Sequence, residues 1–465
     1  MAFSKFLNDR RVAAKELVAE LRKSFAYASV LGTDVRATVY IADFKSSGVR
    51  DGAGECGFVV RMWNGRAFLE YSLDDISGDI QKLAKKIINE ATPSKPLFDK
   101  EIKPSAPVDE PLVKSFHREN DFAEYSDGEI LGFCKKIRDS IKAKTDKAVN
   151  ASGYILPFEV SKLFVSENRE LDQNYGWVNA MAIVIYSDGK TVRAREDAYS
   201  TKMSDVFAEL PKKLDKLVTL AAKLTKSKPI TPGVYDVITD SSISGLIAHE
   251  AFGHGVEMDQ FVKDRALAKR YVGKYVASPI TNMRDGAAAT LSAASFFFDD
   301  EGSLAGDTQI IKDGILVAGM CDSVSASQLG AEVTGNGRRE SYKRKAYTRM
   351  TNTFFEKGED KLEDMIASIK HGYMLFDTNN GMEDPKNWQI QCTAEYGIEI
   401  IDGKLTDNYV SPVVISGSVP ELLKSITMVS DGMEIIGAGM CGKGYKEWVK
   451  VTDGGPALKV RAKLG

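Results

Sequence analysis

Gly245-Leu246-Ile247-Ala248-His249-Glu250-Ala251-Phe252-Gly253-His254-Gly255 is an apolar run interrupted by two imidazoles and one carboxylate. A strand-like segment, Val234-Tyr235-Asp236-Val237-Ile238, precedes it, and the cap-rich turn Thr239-Asp240-Ser241-Ser242 predicts that a helix begins between them. The chain has four histidines, and two of them fall here. Two metal ligands and a base for the metal-bound water are what a catalytic zinc site needs. The spacing is H-E-x-x-x-H, one residue longer than the zinc-peptidase helix motif H-E-x-x-H. On a regular helix, residues four apart differ by roughly 40° around the axis and residues five apart by roughly 140°. His249 and His254 would then point apart. Either a π-type turn or a helix ending near Gly253 would bring His254 back, and Gly253 and Gly255 permit the backbone that either needs. A single buried histidine is more often a hydrogen-bonded core residue. Two of them flanking Glu250 are harder to explain by packing, because a buried unpaired carboxylate is costly.

A catalytic zinc keeps three protein ligands and one open position, so a third ligand must come from elsewhere. His117 and His371 qualify by type, as do several acids. Cys321 and Cys441 are more suggestive, since each ends the tetrapeptide Ala-Gly-Met-Cys. Cys441 lies in the glycine-rich Gly437-Ala438-Gly439-Met440-Cys441-Gly442-Lys443-Gly444, where backbone can approach an ion closely, and spacing favours it without excluding Cys321. The commoner fate of either is a small buried thiol.

Working outward, 465 residues are too many for one core and predict two domains. Lys228-Pro229-Ile230-Thr231-Pro232-Gly233 divides them, giving 1–228 and 229–465. The first reads as helices on antiparallel strands. Helices are expected over residues 11–21, 76–91, 127–144 and 205–226, and strands over 36–41 and 56–63. Asn64-Gly65 turns the chain into a partner strand at 66–71. Further strands are expected within 158–200, with Ser187-Asp188-Gly189-Lys190 as a turn. Five prolines make 92–120 an extended connection. The second domain is strand-rich, mostly antiparallel, and carries the histidine helix, with Asp-Gly or Asn-Gly turns at 285, 313, 380, 402 and 431. The fold class is α+β.

Sixty-two basic residues against 65 acidic ones leave no basic footprint for nucleic acid. The local cluster Arg338, Arg339, Lys343, Arg344, Lys345 and Arg349 reads as a solvated loop and strand edge, ahead of a substrate-carboxylate or partner contact. Five scattered cysteines without a CxxC suit a reducing cytosol. No apolar stretch of about 18 residues occurs, so no membrane helix is expected, and a cytoplasmic location follows.

Residues 245–259 resemble the metal-site helix of the TldD/PmbA metallopeptidase family. Matches continue in order through Phe298-Asp299-Asp300-Glu301-Gly302, Thr334-Gly335-Asn336-Gly337-Arg338-Arg339-Glu340-Ser341, Arg349-Met350-Thr351-Asn352-Thr353 and Cys441-Gly442-Lys443. The hairpin from Gly57-Phe58-Val59-Val60-Arg61 to Asn64-Gly65-Arg66 also fits. This resemblance implies His249, His254 and Cys441 as zinc ligands and Glu250 as general base. It further implies a homodimer, or a heterodimer with a paralogous subunit, that cleaves unfolded or small flexible peptides. The acids 299–301 receive no metal-binding role. A competing reading is a non-catalytic peptide-binding scaffold subunit of such a complex. A cysteine hydrolase using Cys441 ranks below both.

Overall fold

The hairpin at Asn64-Gly65 forms as expected. Glu55–Trp63 runs antiparallel to Phe68–Leu73, Trp63 lies opposite Phe68, and Gly65 turns the chain with a φ of +90°. The computed structural model describes residues 2–65, 67–91, 109–437, 439–444 and 446–465, so Arg66 of the expected hairpin lies outside them. Tyr27–Ala42 pairs with Glu55–Trp63 on one side and Ala148–Ser166 on the other, and Ala148–Ser166 pairs in turn with Arg169–Asp188. Lys190–Ser200 returns from Arg169–Asp188 through Gly189, at a φ of +77°.

Helices cover this sheet because their apolar residues recur on one face. Arg11–Arg22 buries Ala14, Leu17, Val18 and Leu21, which pack with Val30, Phe58 and Val60. Asp127–Lys144 starts at Ser126, whose hydroxyl accepts from the Glu129 N–H while the Glu129 carboxylate accepts from the Ser126 N–H. Its Ile130, Ile137 and Ile141 meet Leu214, Leu217 and Ala221 of a third helical stretch over Tyr40, Ile155 and Val178.

One expectation for this half needs correcting. Residues 92–108 lie outside the described residues, but Leu112–His117 is a strand, parallel to Arg169–Asp188, rather than an irregular connection. The proline run ends at Pro111, so every residue of Leu112–His117 has an N–H for the ladder.

The second sheet draws its strands from Gly233–Thr239 through Thr452–Leu464. Five of them close into a ring: Thr452–Leu464, Val413–Ser418, Gln389–Ile401, His371–Asp384 and Gly233–Thr239, the last pairing back to the first. The architecture is α+β, as expected, and the second sheet is mostly antiparallel. Of the five expected turns, Asp313-Gly314 and Asp402-Gly403 are turns with both residues at positive φ. Asp285, Asn380 and Asp431 instead lie inside strands, the last two at register shifts. Asp285 is fully buried and accepts from Thr351, Thr353 and Asn336, so its carboxylate ties strands together.

The helical segment 241–256 sits in the core of this half. Ile243, Ile247, Ala251 and Phe252 pack with Cys392, Ile415 and Val460 of the ring. Burying Ile247 and Phe252 contributes roughly 1.5–3 kcal/mol each. A helix surrounded by core is apolar on all sides, which leaves Ser241, Glu250 and His254 as its polar, half-buried exceptions.

Candidate metal centre

The histidine segment starts at Asp240, whose carboxylate accepts from the Ile243 N–H. An α-helix follows over Ser241–Leu246, then a π-helix over Ile247–Gly253, and a 3-10 turn over His254–Val256. The His254 N–H bonds to the His249 carbonyl, an i→i−5 closure that stacks the two histidines one wide turn apart. Of the two routes anticipated for His254, the π-type turn is the one used, and the helix does not end at Gly253, since His254 keeps helical dihedrals of φ −61° and ψ −34°. The glycines act differently from expectation. Gly253 has helical dihedrals, φ −58° and ψ −49°, so it is not there for an unusual backbone. A Cβ at Gly253 would collide with Met350 Sδ, and one at Gly255 would lie 2.7 Å from Glu383 Oε1. They are needed for space.

The two rings stand edge to face, centroids 5.3 Å apart. His249 Nε2 lies 3.0 Å and His254 Nε2 3.3 Å from Cys441 Sγ. These three ligand atoms fall within 4.8 Å of one another, and Glu250 reaches 3.9 Å from His249 Nε2 and 3.8 Å from His254 Nε2. A tetrahedron drawn with Zn–N of about 2.0 Å and Zn–S of about 2.3 Å has N···S edges of roughly 3.5 Å. The trio is within a few tenths of an ångström of that figure, and its two imidazoles and one thiol are a donor set that zinc accepts. Cys441 comes from the strand Met440–Lys443, which pairs with Lys446–Lys450 and sets Cys441 opposite Val449. Ala438 and Tyr445, beside this hairpin, lie outside the described residues.

Within the trio, the thiolate and the imidazoles stabilise each other's charged forms. Burial opposes ionisation of Cys441, but both imidazoles outweigh it and hold the thiol well below its ordinary range. The same thiolate raises His249 to about 9, against the effect of burial. Arg349 adds support, its Nη2 donating to Cys441 Sγ at 2.8 Å and to the Cys441 carbonyl at 3.1 Å. The fully buried Glu257 accepts from Arg349 Nε at 3.1 Å, faces Lys443 Nζ at 3.1 Å and lies 3.3 Å from His254 Nδ1. Burial opposes its charge too, yet Lys443, His254 and Arg349 keep it well below the usual carboxylate range. An ionised carboxylate only accepts, so Nδ1 carries the proton and Nε2 is left facing Cys441. Lys443 is held in turn by Asp259 at 2.7 Å and by the Thr348 carbonyl. His249 Nδ1 has no hydrogen-bond partner among the described residues.

The other candidates lie apart. His117 Nδ1 meets Asn174 Oδ1 at 2.6 Å in the first sheet, and His371 Nε2 meets Glu399 at 3.1 Å. Cys321 Sγ rests 3.3 Å from Met258 Sδ. Asp299 accepts the N–H groups of Glu301, Ser303 and Gly337, Asp300 binds Lys162 and the Arg339 N–H, and Glu301 pairs with Arg61 at 2.6 Å. Asp300 and Glu301 thereby tie this segment to the first sheet. The basic cluster is a correction: Arg349 is fully buried at the centre, and Arg339 is buried in a two-pronged pair with Glu70. Glu257, Arg349 and Lys443 had no assigned role in the sequence. The signal was there in part, since Glu257 stands three residues after His254, the spacing that brings side chains together on a helical turn.

Residues 232–462 match the PmbA/TldA metallopeptidase C-terminal domain. The chain belongs to the TldD/PmbA family. The metalloprotease TldD homolog of Haemophilus influenzae is 35% identical over 229 residues, which are 49% of this chain and 47% of that protein. A metalloprotease of Methanothermobacter thermautotrophicus is 24% identical over 455 residues, 96% of each chain. In the first of these alignments the chain spans about half the length of its relative. The crystal structure of TldE from Thermococcus kodakarensis shares the fold, with a TM-score of 0.75 over 97% of this chain and 100% of that one at 17% identity. Within this TldD/PmbA chain the family-matched region contains all three converging side chains and Glu250.

Proposed function

We propose that this chain is a zinc-dependent peptidase acting on unfolded or small flexible peptides. His249, His254 and Cys441 are the metal ligands and Glu250 is the general base. The observation that carries the reading is the convergence of two imidazole Nε2 atoms on Cys441 Sγ at 3.0 and 3.3 Å, with the Glu250 carboxylate beside both. The metalloprotease names of its relatives support it. A bound zinc would supply Lewis acidity and lower the pKa of water towards neutrality. Glu250 accepts the proton of the attacking water and passes it to the leaving amine. Arg349 donates to the Cys441 sulfur and holds it in place, and Glu257 fixes the orientation of His254. Ligation by the Cys441 thiolate would leave a bound ion a weaker Lewis acid than three histidines would.

With this reading go a division of the chain at residues 228–229, a cytoplasmic location, and assembly as a homodimer or with a paralogous subunit. No described helix is long and apolar enough to cross a membrane, and the TldE-like fold supports pairing with a second chain of the same shape. The test is zinc content and cleavage of casein-type unfolded substrate by wild type and Glu250→Ala, each alone and co-expressed with a paralogue. The variant is expected to keep its zinc and lose cleavage. Undiminished cleavage overturns the mechanism.

A further inference from the structure

A cavity of about 870 Å³ lies between the two sheets and is bounded by the hairpin that carries Cys441. Met440, Val449 and Lys450 of that hairpin line it. Its opposite wall belongs to the first sheet, where Phe158 stacks on Trp177 at 4.9 Å and Trp177 on Tyr175 at 6.2 Å. At the hairpin side, Met440 and Trp448 are 54% and 45% exposed, large apolar side chains left in solvent at the edge of an aromatic chamber. A volume of this size, with aromatic and aliphatic patches set among many charged side chains, falls in the range of ligand pockets.

The cations in the wall differ in how they are compensated. Lys162 pairs with Asp300, Arg339 with Glu70 and Arg344 with Glu447. Arg338 has no carboxylate within ion-pair distance among the described residues. Its Nη1 donates to the Met350 carbonyl at 2.6 Å, and its guanidinium lies 5.4 Å over the ring of Phe296, another wall residue. A half-buried guanidinium with no carboxylate in direct contact favours an anion placed beside it. Its planar fork also matches a carboxylate better than a point charge would.

We infer that this chamber recognises the C-terminal residue of a short peptide, taking a large apolar or aromatic side chain against Phe158, Tyr175 and Trp177 and the free α-carboxylate at Arg338. The inference rests on the peptidase reading and names its substrate class. It also assigns a task to the first half of the chain, which supplies the aromatic wall opposite the family-matched region. Lys450, already engaged by the carbonyls of Gly437 and Gly439, stands opposite Met440 and holds the hairpin rather than the ligand.

The test is binding to the full, zinc-loaded chain carrying Glu250→Gln, so that no turnover is required. The probes are fluorescein-labelled Ala-Ala-Phe with a free carboxyl terminus, its C-terminal amide, and labelled Ala-Ala-Gly, followed by anisotropy. The free acid ending in Phe is expected to bind at least about 10-fold more tightly than either comparison peptide. Arg338→Gln should erase the acid-over-amide preference and keep the Phe-over-Gly preference, while Arg338→Lys retains part of the former. Trp177→Ala should weaken the Phe-over-Gly preference alone. Equal binding of acid and amide by the unmodified chamber overturns the inference without any variant having to fold, as does an acid preference that survives Arg338→Gln. Cleavage of casein by the chain without these preferences leaves the peptidase reading standing and removes only the chamber. Preferences without cleavage do the reverse.

Discussion

The tetrapeptide Ala-Gly-Met-Cys occurs twice, at 318–321 and 438–441, and its two cysteines meet opposite fates. Cys441 faces two imidazoles and a guanidinium and is held well below the ordinary thiol range. Cys321 is buried against Met258 Sδ, and burial pushes its thiol up to about 12. The preceding methionines differ as well, Met320 being fully buried and Met440 exposed. Nothing in four residues distinguishes the two. What distinguishes them is the element each packs on. The Met320 backbone bridges to Val256 and Met258, just past the histidine turn, whereas the Cys441 hairpin projects its thiol onto the turn itself. Reactivity of a cysteine is a property of its neighbours' charges.

Substitutions can break this contrast. Glu250→Ala, which leaves both cysteines alone, should lower peptide cleavage by about 10²–10⁴-fold with zinc content unchanged, read from steady-state rates and metal analysis. Cys441→Ser should weaken zinc binding by more than about 100-fold in a competition titration, because a ligand is lost, while Cys321→Ser keeps its zinc. Loss of zinc only in the Cys321 variant would reverse the assignment. Arg349→Gln removes the guanidinium from Cys441 Sγ and from Glu257, and should cost about 10–100-fold in zinc affinity, measured the same way.

The smallest effect sharpens the other side of the contrast. The Cys321 thiol titrates at about 12 in the folded chain, whereas an unfolded cysteine titrates near 8.5. Its folded pKa is raised, so the unfolded state loses its proton first. Stability should therefore fall as pH rises above about 8.5, by up to roughly 1.4 kcal/mol per pH unit for each such thiol. Cys321→Ala should flatten that alkaline slope in denaturant unfolding. An unchanged slope would mean that Cys321 is not the buried neutral thiol described.

How much of this was legible in the sequence follows a physical division. Local signals transferred well: the Asn64-Gly65 hairpin, the helix over 127–144, and the π-type turn offered as one way to bring the histidines of H-E-x-x-x-H together. Signals decided by distant partners did not. Asp285-Gly286 has turn composition, yet Asp285 is drawn into a strand by Thr351, Thr353 and Asn336. Arg349 sits in a basic run that suggested solvent, but Glu257 and Cys441, some 92 residues away on either side, bury it. The role of Gly253 was misjudged for the same reason, since Met350, not the local backbone, excludes a side chain there.

The most direct test of the metal centre is X-ray absorption at the zinc edge of the loaded full-length chain. The account predicts one sulfur scatterer near 2.3 Å and nitrogen scatterers near 2.0–2.1 Å, with the sulfur signal lost in Cys441→Ser and kept in Cys321→Ser. A first shell without sulfur, or one that loses its sulfur only when Cys321 is replaced, would contradict it.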